Sequence, residues 1–153
     1  MVDEAEPAGL TKRLVDSLYV EAMVLADEAR AYFDSCGRED RLALDPMLRV
    51  GFSCEALKVT TRLMQVIAWL LTQRAVAAGE LSTGDAASPE RRLGEGPQSD
   101  EELLERLPEP AIALIRSSQE LYERVGRVGE GVVAPEPQPS PARSLLSRLH
   151  RSL

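Results

Sequence analysis

With 153 residues the chain is long enough for one domain, and its scarce aromatics (Trp69, two Phe, three Tyr) beside abundant Leu, Ala, Val, Glu and Arg favour helix over sheet. A formal net charge of −7 excludes a general nucleic-acid binder, because phosphate contacts need an excess of Lys and Arg. The longest apolar run, Val66 to Leu71, is too short to span a bilayer, and the acidic opening MVDEAEPAGL lacks the apolar core of a secretion signal, so a cytoplasmic protein without stable membrane insertion is expected.

Residues 1–9 read as a flexible N-terminus, and the first helical pattern runs from about 10 to 36. Leu14, Leu18, Ala22, Leu25, Ala29 and Phe33 recur at steps of three and four, and Gly37 supplies a left-handed stop. Val20, Val24 and Ala31 lie away from that stripe and form a candidate dimer or partner patch. The second pattern spans about 45–78, opened by Asp45 as N-cap and Pro46 at the first helical position and closed by Gly79. Leu48, Phe52, Val59, Leu63, Val66 and Leu70 mark one apolar edge, which Leu57, Met64, Ile67, Leu71 and Ala75 widen to roughly 200°. An arc that wide predicts cover from two neighbours.

Residues 79–98 are rich in Gly, Ser, Pro and charge and read as a disordered loop. The third pattern spans about 99–128, with a Ser99/Glu102 capping box, Leu103, Leu104 and Leu107, a break or kink at Pro108 and Pro110, and then Ala111, Leu114, Ile115, Leu121, Tyr122, Val125 and Val128. It fades at Gly129 and Gly131. Residues 129–141 form a Pro-rich spacer, and residues 142–153 a basic amphipathic tail. No internal repeat and no sustained heptad stands out. The predicted fold is all-α, an antiparallel three-helix bundle over 10–128 with the second helix in the middle, a disordered loop between helices 2 and 3, and a disordered C-terminal tail.

The residues offer no catalytic constellation. His150 is the one histidine and is the fourth residue from the end of the chain, and no phosphate-binding glycine loop or zinc motif is present. Cys36 and Cys54 read as a reduced pair. No enzyme activity, metal or cofactor is expected. Opposite the apolar arc of the second helix lie Lys58, Arg62, Gln65, Gln73 and Trp69. Trp69 there either covers the third helix or the long loop, or belongs with Arg62 to a recognition patch, since Trp and Arg are enriched at binding hot spots. On the second reading Trp69→Ala leaves stability nearly intact.

The segments YVEAMVLADEARAYFD (Tyr19 to Asp34) and TTRLMQVIAWLLTQRAVAAGE (Thr60 to Glu80) resemble the regulator of CtrA degradation (RcdA) family of alphaproteobacteria. The resemblance implies a three-helix bundle that tends to form homodimers, has no known enzymatic activity and acts as an adaptor for the ClpXP protease in the cell cycle. It implies a CpdR-like response regulator that primes ClpX, a PopA-like adaptor that binds cyclic-di-GMP, and substrates such as CtrA as partners. Such an adaptor is recruited to a cell pole.

An alternative function is a polar or membrane-surface scaffold acting through the tail. Arg143, Arg148 and Arg151 make residues 142–153 a basic tip on an acidic body. If the tail coils, Leu145, Leu146 and Leu149 share a face with Arg143 and Arg151 toward the other side, which makes these five the candidate docking residues.

Overall fold

Val15, Leu18, Ala22, Leu25 and Ala29 put one stripe of the first helix on one side of its cylinder, and in the computed structural model all five are buried. The structure describes residues 5–133 and 149, with side chains described from 11 to 131 and at 149. All secondary structure among the described residues is helical. Helix α1 (Ala5–Asp34) is followed by a short helix α2 (Cys36–Leu42) that lies within the region expected to be a loop. Gly37 is not a left-handed stop, since positive φ among the glycines occurs only at Gly79 and Gly94 in the described residues. It is required by crowding: a Cβ at Gly37 would stand 2.8 Å from the Tyr32 carbonyl oxygen. The Tyr32 hydroxyl donates to Asp40 Oδ2 at 2.7 Å and ties α2 back onto α1. Burial, with help from the Asp40 carboxylate, holds that hydroxyl protonated well above the usual tyrosine range.

Helix α3 (Pro46–Ala77) begins as its sequence dictates. The Asp45 carboxylate accepts from the Leu48 backbone N–H at 3.0 Å, and Pro46 occupies the first turn, where no amide donor is needed. Gly79 closes it at φ 75°. A one-turn helix α4 (Thr83–Ala86) and a 3-10 turn (Pro89–Arg91) precede an extended stretch. Pro108 then divides the third pattern into α5 (Glu101–Leu104) and α6 (Glu109–Val133). The cap of α5 is Asp100, whose side chain accepts from the Leu103 N–H, rather than Ser99. Gly129 and Gly131 do not end α6, which continues to Val133.

The long helices α1, α3 and α6 pack around one core that includes Phe52, Val59, Val66, Leu70, Leu104, Ile115, Leu121 and Val125. Helices α1 and α3 are antiparallel: Asp16 meets Arg74 at 3.4 Å near one end, and the Phe33 and Phe52 rings stand 5.6 Å apart near the other. Arg124 pairs with Glu21, joining α6 to α1. Helix α6 does not run antiparallel to α3, contrary to the expectation for neighbours in sequence. Arg62 meets Ser118 and Trp69 meets Gly129, so position rises along both helices together and the two are parallel. The connection makes this possible. About thirty residues, 78–108, lie between α3 and α6, and even with α4, the 3-10 turn and α5 among them they can span the 32 residues of α3, which rise about 48 Å. The chain therefore returns the full length of α3 before α6 starts.

Candidate functional site: two faces of the central helix

The polar side of α3 points inward. Arg62 and Trp69 are 2% and 3% exposed. Arg62 Nη1 donates to Ser118 Oγ of α6 at 3.2 Å, and Nη2 donates to the Pro97 carbonyl at 2.9 Å and to Ser99 Oγ at 2.8 Å. Burial pushes the guanidinium below its usual value, and Glu55 and Glu101 pull it back up. Glu55, two turns before Arg62, is buried with neither carboxylate oxygen hydrogen-bonded, and Lys58 Nζ lies 3.4 Å from it. Lys58, Gln65 and Gln73 are half-buried. Of the five candidate partner-surface residues, Arg62 and Trp69 are thus closed off from solvent beneath α6 and the returning chain, and the other three are only partly accessible.

That returning chain is fastened rather than loose. The Tyr122 hydroxyl donates to the carbonyls of Leu93 and Gly94, both at 2.9 Å. Gly96 lies flat on the Tyr122 ring, where a Cβ would come within 2.9 Å of Cζ. Trp69 packs in the same way on the bare backbone of α6 at Gly129, where a Cβ would stand 3.3 Å from the indole. Glycine inside a helix costs about 1 kcal/mol relative to alanine. At Gly129 it admits a large buried ring.

The opposite side of α3 is bare. Val50, Leu57, Met64 and Leu71 succeed one another at intervals of seven, and Leu57 and Met64 are 68% and 66% exposed. Cys54, Thr61, Ala68 and Ala75, also seven apart, fill the positions three residues before Leu57, Met64, Leu71 and Ala78. These are the two core positions of a heptad, so a sustained heptad does exist here, on the outside. Leu57, Met64 and Leu71 belong to the arc expected to be covered. Helix α1 covers the Leu63–Leu70 side, the returning chain and α6 cover the Arg62–Trp69 side, and nothing in the described structure covers the rest. Exposed charge is also missing from this face: of the charged residues between Val50 and Gln73, Glu55 and Arg62 are buried and Lys58 is half-buried.

On α1, Val20 and Val24 are exposed, as is Ala31, so the spare patch read from the sequence faces solvent. Among the candidate tail residues, Leu149 is helical and exposed, whereas Arg143, Leu145, Leu146 and Arg151 lie outside the described residues. No cluster of three or more His, Cys, Asp or Glu able to hold a metal occurs among the described residues, and no described helix is long and apolar enough to cross a membrane.

Two extended faces of α3, one latched inside and one bare outside, define a helical protein. Residues 7–153 match the family described as protein of unknown function (DUF1465), and the chain belongs to it. It is also similar to a solved structure, RcdA from Caulobacter crescentus CB15, with 33% sequence identity over 80% of this chain and 93% of that chain and a TM-score of 0.66. The chain is therefore RcdA-like. Among curated proteins none matches it.

Proposed function

We propose that this chain is a non-enzymatic adaptor in regulated proteolysis. It links a ClpXP protease primed by a CpdR-like response regulator either to substrates such as CtrA or to a PopA-like, cyclic-di-GMP-dependent adaptor. The carrying observation is the likeness to RcdA across 93% of that chain at 33% identity. An adaptor acts through effective concentration, since holding protease and cargo together turns the second encounter into an intramolecular one. It needs two surfaces and no reacting groups. The test is capture of ClpX from a cell extract by the purified full chain, with and without the priming regulator. Capture that depends on the regulator supports the reading; equal or no capture in both arms removes it.

Self-association belongs to the same reading, and the bare face of α3 suits it. A two-fold axis between Thr61 and Met64 sets Leu57 against Ala68 of a second copy, Leu71 against Cys54, and Val50 against Ala75. Every large residue then meets a small one, the interdigitation that an isologous interface requires. The lack of exposed charge removes repulsion between two acidic chains at the seam. The α1 patch of Val20, Val24 and Ala31 then stays open for a different partner. In sedimentation at several concentrations, Leu57→Glu with Met64→Glu is expected to weaken self-association at least about tenfold, and Val24→Glu to leave it unchanged. The reverse outcome moves the interface to α1.

A further inference from the structure

At the end of the molecule away from Trp69, a groove of about 310 Å³ opens between α2 and α3. Phe33 and Phe52 form its floor, packed edge to face, with Ala56 and Thr60 along one wall. Arg38 and Arg41 stand on the rim, both exposed and three residues apart on one side of α2. No carboxylate lines it, on a chain of net charge −7. Neither rim arginine has an ion pair, whereas Arg30, Arg74, Arg106, Arg116 and Arg124 each hold a carboxylate. Arg49 nearby is committed, donating to the carbonyls of Leu44 at 2.8 Å and Leu42 at 2.9 Å. Asp40 is engaged by the Tyr32 hydroxyl. The rim is also held rigid, because the Tyr32–Asp40 bond, the close approach at Gly37 and the Arg49 clamp fix α2 against both neighbours.

We propose that this groove docks an acidic segment of a partner protein, with one apolar side chain seated on Phe33 and Phe52 and flanking Asp or Glu carboxylates on Arg38 and Arg41. The volume lies at the small end of ligand sites, about 300–1,000 Å³, and suits one or two side chains rather than a cofactor. Unpaired guanidiniums beside an apolar floor favour carboxylates next to a hydrophobic anchor, because planar guanidinium binds carboxylate bidentately while the anchor supplies the desolvated contact. The chain's own tail carries Arg143, Arg148 and Arg151 and has the wrong sign for this rim. The inference deepens the adaptor reading, on which it rests for the nature of the partner.

The test uses the full chain and fluorescent peptides of about twelve residues, each with a Leu or Phe anchor flanked by Glu, against matched peptides with Gln. The Glu peptides are expected to bind at least about tenfold more tightly than the Gln peptides, with the difference shrinking in high salt. Arg38→Gln with Arg41→Gln should remove that preference while leaving helicity unchanged, since both side chains are exposed. Ser53→Trp, which plugs the groove, should block binding by steric means alone. Equal binding of the two peptide sets, no binding at about 1 mM, or an unchanged preference in the double arginine variant overturns the proposal. If the peptides fail while regulator-dependent capture of ClpX persists, only the groove is refuted. If they bind as expected and ClpX is not captured, the adaptor reading fails and the groove stands.

Discussion

Trp69→Ala is expected to destabilise the fold by about 3–5 kcal/mol, the range for removing a large aromatic from a core. The indole is 3% exposed and lies against the α6 backbone at Gly129. Its removal leaves a cavity that α6 cannot fill by a small shift, because α6 is fixed nearby by the Tyr122 bonds to Leu93 and Gly94 and by the Arg124–Glu21 pair. Urea denaturation followed by circular dichroism measures the effect. A loss below about 1 kcal/mol with impaired partner binding would return Trp69 to the recognition role that its place on the polar side of α3 suggested.

Arg62→Ala should cost about 3 kcal/mol or more, for a different reason. The guanidinium satisfies Ser118 Oγ, Ser99 Oγ and the Pro97 carbonyl, and its positive charge faces the buried carboxylate of Glu55. Truncation leaves those acceptors short of a donor and a buried carboxylate with only Lys58 to balance it. The damage should reach beyond the site. Amide exchange is expected to accelerate from Leu93 to Ser99, where the returning chain loses its anchor. Lys58→Ala, at a half-exposed position with one long ion pair, should cost less than about 1 kcal/mol. Similar losses at positions 58 and 62 would refute the anchoring role of Arg62.

Local signals carried much of this structure. Asp45 and Pro46 mark the start of α3, Gly79 marks its end, and the spacing of Leu18, Ala22, Leu25 and Ala29 marks the inner stripe of α1. Periodicity reports which residues share a face, but not what covers that face. The width of the apolar arc of α3 therefore predicts full cover, although Leu57, Met64 and Leu71 are open. For its polar side the sequence offers both cover by the third helix or the loop and an open recognition patch, and burial of Arg62 and Trp69 favours cover. What closes that side is a Gly-, Pro- and Ser-rich segment whose composition signals a loop. The bonds that fix it come from Arg62 and Tyr122, 35 and 29 residues away, beyond any local window. The direction of α6 was illegible for the same reason, since linker length permits a parallel return without requiring one. The heptad escaped notice because its alternate positions are Cys54, Thr61, Ala68 and Ala75, too small or polar to register as a seam. Helix α2 is short and charged, with no apolar period to announce it.

The parallel run of α3 and α6 also gives the molecule electrical polarity. Each helix end carries roughly half an elementary charge, positive at its N-terminus and negative at its C-terminus. At one end of the molecule the C-terminal turns of α3 and α6 gather beside the first turns of α1, with Ala77, Ala78, Gly131, Thr11 and Lys12 around one hollow. Two negative ends against one positive end leave a net negative pole, and the far end is its positive counterpart. Several side chains at the helix ends carry the complementary charge. Asp45, Glu101, Glu102 and Glu109 lie at or beside the N-termini of α3, α5 and α6 on the positive side, and Arg74 lies in the last turn of α3 on the negative side. The chain leaves α6 at the negative pole, and the residues that follow include Arg143, Arg148 and Arg151, the sign of charge that this pole attracts.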